Sequence, residues 1–258
     1  MSEPPSAPGV VFVTGATSGF GLAIARRFAA DGARIVVAGR RRQRLATLEA
    51  AFGERVHAIE LDVRDRDAVF AAVAALPRAF ADVDVLVNNA GLAAGLEPAP
   101  QAQLDDWDAM VDTNIKGLMY VTRAVLPAMV ARDHGHIVNL GSTAGQFPYP
   151  GANVYGASKA FVHQFTLNLR ADLLGTSIRV TDVQPGLSGG TELSTVRFKG
   201  DDDKANAVYA GTTPLEPEDV ADAIAWATTR PAHVNINTIQ LMPVCQAFGP
   251  LAVKRANV

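Results

Sequence analysis

A phenol and an amine four residues apart, Tyr155 and Lys159, form the pair in this sequence best suited to proton chemistry. On a helix, positions i and i+4 share a face and point into the same space. Hydride addition to a carbonyl leaves an alkoxide that needs a proton, and a phenol of ordinary pKa near ~10 yields one poorly at neutral pH. A neighbouring ammonium favours the phenolate, so Lys159 is expected to lower the pKa of Tyr155. Tyr155 would then act as general acid in reduction and general base in oxidation. The spacing by itself is short and recurs by accident on exposed helices. Two further residues add to it. Ser142 stands thirteen positions before Tyr155 (155 − 142) at the end of an apolar run, where its hydroxyl could hold a substrate oxygen. Asn114 falls inside a long helical stretch, against its propensity. Such an Asn is commonly just exposed; the alternative is that it holds a water linking Lys159 to solvent.

A second group of residues could hold a dinucleotide. Thr14-Gly15-Ala16-Thr17-Ser18-Gly19-Phe20-Gly21 lies between an apolar run and a helical pattern. Gly15 permits a tight turn, Gly19 lets the backbone approach a pyrophosphate, and Gly21 lets the helix pack on the strand. Free N–H groups and the dipole at the helix start then face the phosphates. Thr17, Ser18 and Phe20 belong to the same turn. An NAD site places a carboxylate at the end of the second strand, on the ribose 2′-OH. Here that place reads Gly39-Arg40-Arg41-Arg42, with guanidinium groups and no acid. Arg bonds phosphate through a planar fork, so Arg40 and Arg41 point to a 2′-phosphate and hence to NADP. A solvated basic helix start would not account for the missing acid. Asp62 and Val63 end the third strand, placed to meet adenine. Asn88-Asn89-Ala90-Gly91 ends the fourth, beside the ribose.

These groups need a scaffold that brings several strand ends to one edge. The apolar run at 10–14 and the largely apolar stretches at 34–38, 56–61, 83–87, 137–140, 178–183 and 238–242 read as strands. Helical spacing covers 19–30, 45–52, 65–76, 104–131, 152–174 and 217–229. Asp105 or Asp106 is a plausible cap of the fourth of these, and Glu216 or Thr213 of the last. Pro127 predicts a kink in the fourth. Strands that are continuously apolar are covered on both faces. The expected fold is therefore α/β: one doubly wound Rossmann domain over residues 1–258, a seven-stranded parallel sheet with helices on both faces. Residues 1–8 read as a flexible lead. Residues 187–213 show no clean period, and a loop of that length inside a domain is usually functional.

Composition limits the partners. The 258 residues are 48% hydrophobic and 19% charged, which suits a globular core. The net charge of −3 implies no broad basic surface, so nucleic acid is a poor candidate. No apolar run has the length of a membrane span. The one cysteine, Cys245, cannot form an internal disulfide, which favours a reducing compartment and a cytoplasmic location. It is expected to be a packed residue. No metal site is expected.

Thr14-Gly15, Gly19-Phe20-Gly21, Asn88-Asn89-Ala90-Gly91, Asn114, Ser142, Tyr155, Lys159 and Pro185-Gly186 match, in order and spacing, the short-chain dehydrogenase/reductase family. The resemblance covers residues 9–250. It implies a catalytic tetrad of Asn114, Ser142, Tyr155 and Lys159, with Lys159 also bonding the nicotinamide ribose. It implies cofactor contacts extending to Ala90, Pro185, Gly186 and Thr191, and a homotetramer. The runs at 136–145, 185–192, 196–201 and 231–237 resemble, more narrowly, the NADP-dependent 3-hydroxy acid dehydrogenases. That group oxidises L-serine and L-allo-threonine and reduces malonic semialdehyde to 3-hydroxypropionate. Departures at Gln146, Phe147 and Ser188 lie close to the expected pocket. A carboxylate substrate needs cationic or donor groups, for which Arg197, Lys199 and Gln146 are the candidates; a solvated lid accounts for the two cations equally well. Two rivals share parts of the pattern. A reductase of neutral ketones or aldehydes would keep every catalytic residue, and a nucleotide sensor would keep the glycines without the tetrad.

Overall fold

Five apolar residues, Val10–Thr14, are all buried and make the first strand, β1. The structure is a computed structural model that describes residues 9–248; the lead at 1–8 lies outside them. After β1 come α1 (Gly19–Ala30), β2 (Arg34–Gly39), α2 (Arg42–Phe52), β3 (Val56–Glu60), α3 (Arg66–Ala74) and β4 (Val85–Asn88). The second half runs α4 (Leu104–Met110), α5 (Leu118–Arg132), β5 (Gly135–Leu140), α6 (Asn153–Asp172) and β6 (Ile178–Pro185). It closes with α7 (Leu193–Arg197), α8 (Asp202–Ala207), α9 (Pro217–Thr228) and β7 (Thr238–Leu241). The sheet order is β3-β2-β1-β4-β5-β6-β7, and every pairing is parallel. Alternate residues of one strand feed opposite cores. Val11 and Val13 pack with Ile24 and Phe28 of α1 and Ile224 of α9. Phe12 packs with Val69 of α3, Val121 of α5 and Leu169 of α6. Helices therefore cover both faces, which is why the strands read as unbroken apolar runs.

Strand order reverses between β1 and β4, whose neighbours extend in opposite directions. A crevice opens at the carboxyl ends of strands at such a point. The chain's chemistry-bearing segments, at 14–21, 39–41, 88–91, 140–142 and 185–186, all leave the sheet at this edge.

Several expectations need correction. The stretch at 104–131 is one helical path in three pieces, because residues Val111–Gly117 form a π-helix between α4 and α5. Its cap is Gln103, while Asp105 and Asp106 lie in the first turn. Residues 187–213 are not a structureless loop: α7 and α8 fold within them. Five- and six-residue helices offer too few turns for a readable apolar period. Glu216 caps α9 in a reciprocal capping box with Asp219; Thr213 does not. Cys245 is exposed, not packed.

Candidate active site

Tyr155 and Lys159 lie on the first turns of α6, both buried. Lys159 Nζ stands 5.9 Å from the Tyr155 ring centroid and donates to the Leu140 carbonyl at 2.7 Å. Ser142 follows β5; its Oγ accepts from Ala144 N at 3.1 Å and donates weakly to the Pro185 carbonyl at 3.4 Å. Asn114 is buried, not exposed. Its Oδ1 accepts from Leu92 N at 2.9 Å, and its Nδ2 donates to Leu92 O at 2.9 Å and to Ser158 Oγ at 3.0 Å. Ser158 Oγ donates to the Tyr155 carbonyl at 2.8 Å. Asn114 thus clamps the chain after β4 to the helix that carries Tyr155. The π-helix supplies the position: its wider turn rotates the side-chain register relative to an α-helix. A Cβ on Gly91 would lie 3.3 Å from Asn114 Oδ1 and 3.6 Å from Lys159 Nζ, so the glycine keeps that corner open where a side chain would crowd it. Of the expected tetrad, Ser142, Tyr155 and Lys159 line one end of the cleft, and Asn114 is buried behind them.

Burial raises the pKa of Tyr155 above its ordinary value; Arg197 opposes the shift, Tyr149 adds to it, and a hydrogen bond with Ser142 opposes it. The expected lowering by Lys159 is therefore not what the structure shows: desolvation of the phenolate outweighs the opposing charge of Arg197 and the Ser142 hydrogen bond. A phenol so placed holds its proton at neutral pH. Burial also pushes Lys159 down to about 8, with the charge of Asp182 opposing. The unfolded chain holds a proton that the folded chain has shed between pH ~8 and ~10.5, so stability rises with pH across that window. The full shift is worth about 3 kcal/mol. Lys159→Met should abolish that rise in urea denaturations compared near pH ~8 and ~10. A parallel rise in the variant would show that other groups cause it.

The cleft continues from Tyr155 to the glycine turn. Its walls include Gly15, Thr17, Ser18, Gly19 and Phe20, then Arg40, Arg41, Asp62, Val63, Asn89, Ala90, Gly91, Pro185, Gly186 and Thr191. Gly15 has φ +65°, a conformation that side chains disfavour. Gly21 does not line the cleft; a Cβ there would collide with the Gly15 carbonyl, which is the helix-to-strand packing expected of it. Asn89 braces the turn, its Nδ2 donating to Thr14 O at 2.8 Å and to Gly15 O at 3.2 Å. Asp62 is held by Arg64 at 2.6 Å.

The basic corner differs from its sequence reading. Arg40 is exposed at the rim, and Arg42 turns away toward Glu49 at 3.8 Å. Arg41 donates through Nε and Nη2 to Thr17 Oγ1 at 3.0 and 2.7 Å, and through Nη2 to Ser18 Oγ at 2.8 Å. Arg44, three residues on and on the same face, donates to Thr17 O at 3.3 Å. An acid is present after all: Glu192, from the chain after β6, accepts from Arg41 at 2.7 Å and from Arg44 at 2.6 Å. Arg40, Arg41 and Arg44 against Glu192 leave two positive charges (3 − 1), which suits a phosphate monoester carrying about −1.5 to −2. The glycine turn, the open Gly91 corner and this surplus fit a dinucleotide with a 2′-phosphate.

The substrate candidates separate. Arg197 lies at the catalytic end, its guanidinium carbon 5.0 Å from the Tyr155 ring centroid and 6.0 Å from that of Tyr149. Its Nη2 donates to Tyr149 OH at 3.1 Å, while its Nε is buried with no hydrogen-bond partner among the described residues. Lys199 is not in the cleft: its ammonium pairs with Asp106 at 2.9 Å on α4, because a positive φ of 55° at Lys199 turns the chain away. Gln146 is also outside, its amide donating to Gln184 at 2.8 Å. Sequence reasoning missed Arg44, Glu192, Tyr149, Leu193 and Val196. Only α2's i, i+3 spacing of Arg41 and Arg44 was readable.

The family pattern for short chain dehydrogenases matches residues 9–202 of this chain. The chain belongs to the short-chain dehydrogenase family. As such, this dehydrogenase is an oxidoreductase acting on CH–OH groups. Among curated relatives, it is 60% identical to the NADP-dependent 3-hydroxy acid dehydrogenase of Salmonella typhimurium, over 96% of this chain and 100% of that protein. It is 54% identical to sulfoacetaldehyde reductase 2 of Chromohalobacter salexigens, over 95% of this chain and 98% of that protein. A serine dehydrogenase solved in closed form with NADP+ superposes with a TM-score of 0.95 at 57% identity, covering 96% of this dehydrogenase and 100% of that chain.

Proposed function

We propose that this dehydrogenase moves a hydride between NADP and a short 3-hydroxy acid, or the matching semialdehyde, with L-serine, L-allo-threonine and 3-hydroxypropionate as the substrates to expect. The cofactor is NADP, and its nicotinamide supplies or receives the hydride. In reduction Tyr155 gives its proton to the nascent alkoxide, and the cations of Lys159 and Arg197 favour the phenolate that remains. Ser142 holds the substrate oxygen by hydrogen bonding. Lys159, with its pKa near 8, keeps a cationic donor at the same corner and holds the ribose end of the cofactor.

One observation carries the substrate reading: the buried Arg197 Nε without a partner among the described residues, on a guanidinium 5.0 Å from the Tyr155 ring. A buried unpaired donor is costly, and an anionic group two carbons from the reacting hydroxyl would satisfy it. A sulfonate has the same charge and oxygens that likewise accept hydrogen bonds, and the 54% identical sulfoacetaldehyde reductase favours it as a second reading. Initial rates with NADP should exceed those for propanol-sized neutral alcohols by about tenfold or more for 3-hydroxy acids. Including isethionate tests the second reading in the same panel. Equal or better turnover of the neutral alcohols rejects both and leaves a reductase of neutral carbonyls.

A further inference from the structure

Glu192 stands at the start of the segment that carries Arg197, yet its carboxylate reaches the opposite end of the cleft. Oε2 accepts from Arg41 and Oε1 from Arg44, at 2.7 and 2.6 Å. The two guanidiniums come from the start of α2, and Arg41 is further bonded to Thr17 and Ser18 of the glycine turn. One carboxylate therefore joins three segments: the turn after β1, the start of α2, and the chain leading into α7. Burial pushes the Glu192 carboxyl up, but hydrogen bonds from Arg44, Arg41 and Ser18 outweigh it and hold the group below its ordinary value, as an anion at neutral pH. An isolated exposed ion pair contributes little, whereas shared, short, two-armed geometry in a network is the case in which such pairs matter.

The rest of the segment is fastened elsewhere. Arg197 O accepts from Gly95 N at 3.1 Å, and Lys199 pairs with Asp106 at 2.9 Å, so the far end of α7 is tied to the chain after β4 and to α4. Glu192 is the fastening on the cofactor side. Between them, Leu193 and Val196 line the cleft.

We propose that Glu192 is a positioning residue: by bridging Arg41 and Arg44 it fastens α7 to the arginines that face the cofactor's 2′-phosphate, so that the substrate side and the adenosine side of the cleft close as one unit. The arginines thus have two partners on different sides, an internal carboxylate that holds the loop and the phosphate of the cofactor. Without Glu192, the start of α7 loses its tie to the arginines, and Leu193 beside it loses its fixed place in the cleft wall, while Ser194 stays bonded to Tyr209 at 2.7 Å and Arg197 O to Gly95 N at 3.1 Å. The effect on substrate handling rests on the substrate reading given above; the ordering of α7 does not.

The test uses Glu192→Gln, Arg44→Gln and the double variant. Amide hydrogen exchange of a peptide spanning 193–198 reads the order of α7 directly. It should run about fivefold faster or more in Glu192→Gln, less so in Arg44→Gln, which leaves the bond from Arg41, and no faster in the double variant than in Glu192→Gln, which already removes the bond that Arg44→Gln breaks. NADPH affinity, read by its fluorescence, should change by less than about threefold in Glu192→Gln, and KM for a 3-hydroxy acid should rise more than kcat falls. Unchanged exchange in Glu192→Gln overturns the proposal, as does full additivity in the double variant. A tenfold loss of NADPH affinity with unchanged exchange also overturns it, and makes Glu192 a support of the arginines alone. Faster exchange in an enzyme that shows no preference for acids leaves the fastening standing and removes only the substrate reading.

Discussion

Tyr155→Phe should lower kcat in both directions by about a thousandfold while NADPH still binds with near-unchanged affinity. The magnitude follows from the contribution of a positioned general acid, roughly 10²–10⁴-fold. The ring is buried between Lys159 and Arg197, and Phe preserves its packing and loses only the hydroxyl. Because burial keeps the phenol protonated, the loss in reduction should be nearly independent of pH below neutrality, where the wild-type donor is already loaded. Oxidation in the wild type should quicken as pH rises, since it needs the phenolate. Steady-state rates across pH, together with NADPH fluorescence titration, measure both. Retention of most turnover would exclude Tyr155 as the proton donor.

Arg197→Met should cut kcat/KM for a 3-hydroxy acid by about ten- to a hundredfold and leave a neutral alcohol of similar size within about threefold. A charge-assisted hydrogen bond contributes roughly 1.5–3 kcal/mol, which converts to that range. Met keeps much of the apolar stem and removes the fork. Lys199→Met should have no selective effect, because its ammonium is spent on Asp106 outside the cleft. The ratio of kcat/KM values for acid and alcohol in each variant decides the matter. An equal loss for both substrates would mean that Arg197 supports Tyr155 and does not bind the carboxylate.

The legibility of the site varied with the range of the interactions involved. Tyr155 and Lys159 are four residues apart on one helix, so their meeting follows from helical geometry. The glycine turn joins a strand to the helix that follows it, and its spacing is local too. The strands were readable because a parallel sheet buries both faces, which leaves continuous apolar stretches such as 10–13 and 35–38. Asn114 could be singled out as odd in a helix, but its burial depends on a π-helix that no apolar period reveals. Arg41 was identified for its type. Its partners Thr17 and Glu192 lie 24 and 151 positions away, beyond any local pattern.

By itself, the sequence determined the doubly wound order of strands and helices, the phosphate-binding turn, the absence of an acid at the end of β2, and the chemistry available to a Tyr, a Lys and a Ser at one strand edge. Each depends on residue type and short spacing, where periodicity and turn stereochemistry leave few alternatives. Only the tertiary structure decided which cation faces the substrate. Arg197 and Lys199 are two residues apart and equal in charge, but the end of α7 and the positive φ at Lys199 send one guanidinium to Tyr155 and the other ammonium to Asp106. It also decided the protonation of Tyr155, because the balance between desolvation and nearby cations depends on how deeply the ring is buried. Pairings over more than a hundred positions, such as Glu192 with Arg41, exist only after the sheet has brought the strand ends together.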